Sequence, residues 1–184
     1  ILNSIINIMS TTKWALDPTH SEIGFKIKHL MITNVSGSFG KFDINAETEG
    51  DDFTKGKINF TADIDSINTG NEQRDGHLKS PDFFDAANHP QLSFSATSFE
   101  KKSDDEYALN GNLTIREVTK PVTLAVDFGG IAKDPWGNTK AGFSLTGKIN
   151  RNDFGLTWNS VVESGGVLVS EEVKIHAEVQ LVKQ

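Results

Sequence analysis

Short segments in which apolar and polar residues alternate one by one recur along most of this sequence. In the first of them, Ile23, Phe25 and Ile27 are each followed by a small or charged residue. This period of two is typical of a β-strand with one dry face and one wet face. The apolar positions change parity across Gly40 and Lys41, which indicates a bulge within the second segment. The eight segments cover positions 23–29, 35–46, 58–64, 92–96, 107–115, 122–128, 143–149 and 173–181.

Amphipathic strands must each bury one face, and closure into a barrel satisfies all of them at once. Hairpin-like spacing indicates antiparallel neighbours, and a single helical segment is too little to cover an open sheet of this width. A sandwich is the main alternative, but a strand such as 173–181 spans about 30 Å, which is long for a small sandwich. We therefore predict an all-β fold, a single antiparallel eight-stranded barrel with a short helical lid segment.

The inward-facing positions of this barrel combine small residues with aromatic rings. The small residues are Gly37, Ala46, Ala62, Ala96, Gly111, Gly147 and Ala177. A barrel of this strand number is either filled by its own side chains or wide enough for one small ligand. The alternation of inward and outward positions does not distinguish a filled barrel from an open one. An open lumen would have hydrocarbon walls, so its ligand would be a lipid held by burial of its methylene groups.

Composition excludes several classes of function. The chain has 25 acidic and 18 basic residues, a net charge of -7 and no Lys/Arg-rich block, so nucleic acid is not an expected partner. It has no cysteine, which excludes disulfides and a thiolate nucleophile. Its five histidines are not spaced as metal ligands. We predict no metal and no cofactor, apart from a bound lipid or isoprenoid.

The segment 74–85 interrupts the strand pattern and predicts a lid. Leu78, Phe83 and Phe84 fall at helical spacing and form an apolar stripe that would face the barrel mouth, while Pro81 limits the helix to a couple of turns. The neighbouring pair Arg74 and Asp75 would lock the lid onto the rim as a bidentate ion pair, or anchor a polar headgroup.

Other polar residues allow two interpretations each. Arg151 is a second clasp or headgroup anchor, and we favour the structural role. His29 shares the apolar parity of its strand, so it is either a hydrogen-bonded core residue or the polar end of a cavity. Asp17, His20 and Ser21 suggest a nucleophilic site, but sequence neighbours on a strand point apart, so we favour a turn.

The N-terminal residues 1–8 are apolar but have no basic flank and are too short to span a bilayer. They precede Met9, so we expect residues 1–13 to be a disordered or artefactual extension and residues 14–184 to form the barrel. The sequence as written has no signal peptide and predicts a cytoplasmic protein. It would be periplasmic if a leader had been removed.

Six motifs in order resemble the YceI family. They are WALDPTHS at 14–21, SINTG at 66–70, RDGHLKSPDFFD at 74–85, LTIR at 113–116, TKPV at 119–122 and RNDFG at 151–155. The resemblance implies a lipocalin-like barrel of bacterial origin, some of whose members bind polyisoprenoids in the lumen, and it favours an open cavity. The family usually has glycine where this chain has Glu117, which tolerates a positive φ poorly, so we expect a rebuilt or strained hairpin there.

With this resemblance, the sequence predicts non-catalytic binding, storage or transport of a long-chain amphiphile, such as a polyisoprenoid, an isoprenoid quinone or a fatty acid derivative. The predicted ligand-binding residues are Phe25, Ile27, His29, Phe39, Phe42, Phe60, Ile64, Leu78, Phe83, Phe84, Phe94, Leu113, Ile115, Leu124, Phe143, Leu145 and Phe154. The predicted headgroup or clasp residues are Arg74, Asp75 and Arg151.

Two alternatives remain at this point. One is an enzyme that acts on a lipid in the lumen, with His29 or Asp75 as acid or base. The other is a solid-core interaction protein that presents Trp136 and Trp158 to a partner. In every case we expect no stable membrane insertion, and we consider self-association into a homodimer through an outer barrel face.

Overall fold

The computed structural model describes residues 10–163 and 165–184. Its strands are β1 (Thr11–Leu16), β2 (Glu22–His29), β3 (Thr33–Phe39), β4 (Phe42–Glu49), β5 (Asp52–Asp63), β6 (Ile67–Asn68), β7 (Gln91–Lys101), β8 (Glu106–Ile115), β9 (Val118–Lys133), β10 (Thr139–Asn150) and β11 (Val169–Lys183). The α-helix described is α1 (Glu72–Lys79), and short 3-10 helices lie at Pro18–His20, Ile64–Ser66 and Arg151–Phe154. No helix within these described ranges is long and apolar enough to cross a membrane.

The strands close into an antiparallel eight-stranded barrel. Hydrogen-bonded neighbours follow the order β1, β4, β5, β7, β8, β9, β10 and β11, and β11 returns to pair with β1. The closing register places Leu16 opposite Leu181. The predicted fold class is confirmed.

We call each of the eight wall positions of the barrel a stave, and two of the staves are built from two strands each. β1 and β2 both pair with β11 and are separated by the 3-10 turn at Pro18–His20. β3 and β4 are separated at Gly40 and Lys41, where the apolar parity changes. The predicted bend lies at this position, but the segment divides there into two strands instead of forming a bulge within one. The strand β1 was missed because it is short and has few alternating apolar positions. It begins at Thr11, before the predicted barrel start at Trp14, whereas residues 1–9 of the predicted extension lie outside the described residues.

The helical segment lies next to the strand β6. The outer part of the second stave, β3, pairs with the two-residue strand β6 rather than with β5. The helix α1 follows β6 and is capped at its N-terminus by Asn71, whose side chain accepts a hydrogen bond from the Arg74 N–H at 2.9 Å. It ends at Lys79, before Pro81, as the sequence predicts. Phe83 and Phe84 lie beyond the helix in a tight turn, so they do not continue a helical stripe.

One end of the barrel is closed by packed aromatic rings, which we call the aromatic floor: Trp14, Phe53, Phe99, Tyr107, Phe128 and Phe143. Phe53 is central, with ring centroids 4.9 Å from Trp14 and 5.0 Å from Phe143. The Trp14 indole N–H donates to the Thr48 hydroxyl at 2.9 Å, which satisfies the one polar atom of this buried ring. The floor therefore seals the barrel at the end where β1 joins the sheet.

Candidate functional site: an apolar cavity inside the barrel

A cavity of about 640 Å³ occupies the barrel above the aromatic floor. This volume falls within the range of small-molecule binding sites, roughly 300–1,000 Å³. Its wall is made of aliphatic and aromatic side chains from nearly every stave. Among the described residues, no aspartate or glutamate lines it. The lumen is open, so the solid-core alternative is not what the structure shows.

Glycines on the wall explain how a barrel rich in phenylalanine keeps this space. A Cβ atom added at Gly37 would lie 2.3 Å from the ring of Phe25, and one at Gly111 would lie 2.3 Å from the ring of Phe94. A Cβ at Gly147 would likewise lie 2.4 Å from a methyl group of Leu124. The large side chains therefore rest against the bare backbone of a neighbouring strand instead of extending across the lumen. The small residues do make room for rings, and this arrangement leaves the centre empty.

Polar groups are concentrated at the mouth, the end opposite the floor. They are Lys28, His29, Thr69, Asn71, Gln73, Arg74, His77 and Arg151. Contacts connect the two sides of this rim. The His77 ring lies 4.6 Å from the Trp158 ring, Arg151 donates to the Trp158 carbonyl oxygen at 2.7 Å, and Val169 pairs with His29. The rim carries hydrogen-bond donors and cations in a protein whose net charge is negative.

Most of the predicted ligand-binding residues line this cavity. Those that do are Phe25, Ile27, His29, Phe39, Phe60, Leu78, Phe83, Phe84, Phe94, Leu113, Ile115, Leu124, Phe143 and Leu145. Phe42, Ile64 and Phe154 do not. Phe42 packs beside Phe60, with ring centroids 6.2 Å apart. Ile64 and Phe154 are buried in 3-10 turns outside the lumen, because each lies just past the end of a strand, where the alternation no longer sets the side-chain direction.

Sequence reasoning missed other lining residues. Ile44, Ile58, Leu92, Val126 and Ile175 share the inward parity of their strands, so alternation alone was sufficient to find them. Alternation does not identify Phe53, Trp158 and Leu168, because Phe53 lies at the end of a strand and the other two lie between strands.

Arg74 and Asp75 do not form the predicted ion pair. Both lie in the described part of the chain, and both bond to Thr69 instead. Arg74 donates from Nε to the Thr69 hydroxyl at 2.8 Å and from Nη2 to the Thr69 carbonyl at 2.7 Å. The Asp75 carboxylate accepts from the Thr69 N–H at 2.9 Å and from its hydroxyl at 2.6 Å. Adjacent residues on a helix point in different directions, so the two side chains hold one residue between them. They fix α1 to the end of β6.

Arg116, which the sequence reasoning did not single out as a clasp, makes the side-chain hydrogen bonds that join the segment after α1 to the β8–β9 turn. Its Nη1 donates to the carbonyl oxygens of Pro81 at 3.0 Å and Phe83 at 2.8 Å. Arg116 and Glu117 form the hairpin turn between β8 and β9, with φ of 50° and 67°. The expected strain at Glu117 is therefore present, since two non-glycine residues adopt the left-handed conformation.

Arg151 is a buried structural clasp, but its partners are carbonyl groups rather than a carboxylate. It donates to Leu156 O at 2.6 Å, to Trp158 O at 2.7 Å, to Ser170 O at 2.8 Å and to Val169 O at 3.3 Å. Burial lowers the pKa of its guanidinium below the usual value, and the charge of Glu171 acts in the opposite direction. These bonds fasten the chain after β10 to the start of β11, on the side of the mouth.

The remaining candidates are placed as follows. His29 is half-buried and lines the cavity mouth. Trp158 is half-buried against His77 and Phe83, so it is not the exposed residue that an interaction surface would need. Trp136 is 83% exposed. Asp75 does not line the cavity.

The segment Asp17–Ser21 is a turn, as we favoured over a nucleophilic site. The Asp17 carboxylate accepts from the Thr19 N–H at 3.1 Å, contacts the His20 ring at 2.9 Å and accepts from Lys140, while the Ser21 hydroxyl donates to the Asp17 carbonyl at 2.7 Å. The hydrogen bond from Lys140 holds the pKa of the Asp17 carboxyl well below its usual value, although burial alone would raise it. The turn thereby joins β1 and β2 to β10.

Comparison with known proteins agrees with this architecture. Residues 14–181 match the model of the YceI-like domain. A UPF0312 protein of Staphylococcus aureus strain N315 is 41% identical over 170 residues, which cover 92% of this chain and 96% of that protein. The crystal structure of a Campylobacter jejuni YceI protein superimposes with a TM-score of 0.73 at 37% identity, covering 92% of this chain and 96% of that one.

A more distant structure shares the fold. It is described as a polyisoprenoid binding domain from Saccharophagus degradans implicated in plant cell wall breakdown, and it superimposes with a TM-score of 0.69 at 14% identity. The alignment covers 93% of this chain and 98% of that one.

Proposed function

Because this chain belongs to the YceI family, we propose that its barrel binds a long-chain amphiphile without chemically changing it, for storage or transport. The ligand is a polyisoprenoid, an isoprenoid quinone or a fatty acid derivative. The observation that carries this proposal is the cavity of about 640 Å³, which is hydrocarbon along its wall and polar at one end.

The wall suits a hydrocarbon chain. Each methylene group moved from water into such a site contributes about 0.8 kcal/mol, so a long chain is held without any directional contact. The aromatic floor ends the cavity, so the tail points towards the floor and the headgroup stays at the mouth. His29 and Arg74 supply donors there, which fits a headgroup that accepts hydrogen bonds.

The description of the Saccharophagus degradans domain supports this ligand class. That protein is described as binding polyisoprenoids and has the same fold. At 14% identity the likeness is one of fold, so it supports a class of ligand and not one compound.

The arrangement of the candidate acid–base groups favours binding over catalysis. The Asp75 carboxylate is engaged by the N–H and hydroxyl of Thr69, away from the cavity lining. His29 lines the mouth on another stave. An acid–base mechanism needs its groups within hydrogen-bond reach of one substrate, and these two residues do not converge on the lumen.

Native mass spectrometry of freshly purified protein tests the proposal directly. We expect a co-purified species that is released on delipidation. The delipidated protein should then take up a polyprenol, an isoprenoid quinone or a fatty acid when each is offered separately. If it takes up none of the three, the proposed function is wrong.

A lumen variant shows where the ligand binds. Ala177 lines the cavity on β11, and Ala177→Phe would fill part of it with a ring. We expect affinity for the preferred ligand to fall by about tenfold or more, equivalent to about 1.4 kcal/mol, measured by fluorescence titration. The matched control is Ala125→Phe, which places the same ring on the exposed face of β9 and should leave affinity unchanged. Equal affinities in the two variants would place the ligand outside the barrel.

A further inference from the structure

The turn between β2 and β3 exposes three consecutive apolar side chains. Met31 is 53% exposed and Ile32 is 76% exposed, and Leu30 beside them is also exposed. Single exposed apolar residues are common, but adjacent ones at a loop tip form a patch, and such patches mark interaction sites.

The backbone of this turn is strained at two of the exposed apolar residues. Leu30 and Met31 have φ of 53° and 60°, and the Ile32 N–H donates to the His29 carbonyl at 3.1 Å. Two consecutive positive φ angles characterise the type I′ turn, in which asparagine and glycine are strongly preferred. Leucine and methionine are strained there, and strain that is retained at an exposed site points to a use for the side chains.

A second loop adds to the same surface. Val161 is 78% exposed and forms an isolated β-bridge with Val167, which is also exposed. The two loops are joined by a hydrogen bond from the Leu30 N–H to the Leu168 carbonyl at 2.8 Å. The two apolar tips are therefore neighbours.

Both tips border the cavity mouth. His29, which precedes the first turn, and Leu168, which follows Val167, line the cavity. Five of the seven large exposed hydrophobic residues among those described belong to these two loops. The other two, Ile131 and Trp136, lie at or near the β9–β10 turn, at the opposite end where the barrel meets β1. Exposed apolar area is thus concentrated around the opening.

We propose that these two loops dock the barrel mouth onto the surface of a phospholipid bilayer. The inference rests on the proposed function, because a bilayer is the phase from which a long-chain amphiphile would enter an apolar lumen. With the tips buried among the acyl chains, the ligand would pass from bilayer to cavity without exposing its tail to water. Lys28, exposed next to the first turn, can reach lipid phosphates while its stem lies along the apolar surface. Glu163 in the second loop is the one unfavourable charge between the two valines.

Co-sedimentation with phosphatidylcholine vesicles tests this docking. The informative variant is Leu30→Asn with Met31→Gly, because it removes two apolar side chains and installs the residues that a type I′ turn prefers. We expect vesicle partitioning to fall by about tenfold or more, while the midpoint of urea unfolding stays equal or rises. A lost interaction in a protein that is no less stable cannot come from misfolding. The matched control is Trp136→Ser at the opposite end, which should partition like the wild type.

Lumen binding is measured in parallel with cis-parinaric acid, a fluorescent fatty acid, added from solution. The double variant should keep the wild-type affinity for this probe. Docking is overturned if the wild type does not partition to vesicles, or if Trp136→Ser loses as much partitioning as the double variant. It is also overturned if the loops instead mediate a dimer, seen by light scattering, that the double variant abolishes. If vesicles are bound but delipidated protein takes up no amphiphile, the proposed function fails and docking stands.

Discussion

Arg116 and Glu117 show how a single turn can hold a distant segment at the cost of local strain. Both have positive φ, a conformation that costs a non-glycine residue roughly 1–3 kcal/mol. Arg116 compensates by donating to two carbonyl oxygens of the segment after α1. The Glu117 carboxylate lies 4.0 Å from the His89 ring nitrogen, which is beyond hydrogen-bond distance.

At this position we predict that Glu117→Gly stabilises the protein by about 1 kcal/mol, since glycine adopts positive φ without steric cost. Urea unfolding followed by fluorescence measures the change. The comparison variant is Glu47→Gly in β4, an exposed position whose φ is not positive. That change should destabilise by about 0.5–1 kcal/mol, because glycine loses more backbone entropy on folding. A loss of stability in both variants would mean that the turn is unstrained.

The strained turns also mark the limit of prediction at the residue scale. The departure from glycine at Glu117 is visible in the sequence, and so is the expected strain. The role of Arg116 is not, because its acceptors are backbone carbonyls of Pro81 and Phe83, far away in the chain. A carbonyl acceptor leaves no side-chain signature, so charge pairing suggested Arg74 with Asp75 instead.

At the scale of the element, the helical segment is held by two separate contacts. Arg74 and Asp75 fix its start to Thr69, and Arg116 fixes the turn after its end. Leu78, between the two contacts, and Phe84, just after the second, face the lumen. The second contact joins the segment to the β8–β9 turn, as the packing of His77 and Phe83 on Trp158 joins it to the chain before β11.

We therefore predict that Arg116→Ala loosens the turn after α1. Loss of two bonds from a charged donor should lower the free energy of unfolding by about 1–3 kcal/mol. Hydrogen exchange should accelerate at the amides of Phe84, Asp85 and Ala86, which bond within this turn. Lys120→Ala removes an exposed cation from the same hairpin and serves as the control. Unchanged exchange in Arg116→Ala would show that packing alone holds the segment.

Elements with strict alternation were predictable, and those without it were not. The segments 107–115 and 173–181 were found from their period of two and lie in β8 and β11. The strand β1 has too few residues to show a period, and β6 has two. Phe83 and Phe84 were expected on a helix, but spacing alone cannot show that the chain has already turned after Pro81.

At the scale of the whole molecule, barrel closure depends on a seam. β11 pairs with β1 over three residues and with β2 over a longer stretch, and the turn between β1 and β2 is fastened to β10 by the bond from Lys140 to Asp17. The Asp17 N–H also donates to the Gln180 carbonyl at 2.9 Å. Asp17 thus joins the turn between β1 and β2 to β10 through its carboxylate and to β11 through its backbone N–H.

We predict that Asp17→Asn weakens this seam in a pH-dependent way. A carboxyl whose pKa is lower in the folded chain stabilises the fold above its unfolded pKa, and this contribution is lost as the pH falls towards the folded value. The variant should lose about 1–2 kcal/mol of unfolding free energy near neutral pH. The deficit should shrink as the pH drops below the ordinary value of 3.8. Urea unfolding of the variant and the wild type, near neutral pH and below pH 3.8, measures this deficit.

The exposed carboxylate Asp65 supplies the control for this experiment. Asp65→Asn should change stability little at either pH, because surface charges contribute little. An equal deficit for Asp17→Asn at neutral and low pH would show that the hydrogen-bond geometry, not the charge, fastens the seam.

The bare backbone beneath the rings of Phe25 and Phe94 has a consequence for how such barrels can diverge. A methyl group at Gly37 or Gly111 would meet a ring at 2.3 Å and force it off the wall into the lumen. The width of the site is thus set partly by residues that need not touch the ligand at all. A single glycine-to-alanine change could shorten or narrow the accepted chain while every group that recognises the headgroup stays the same.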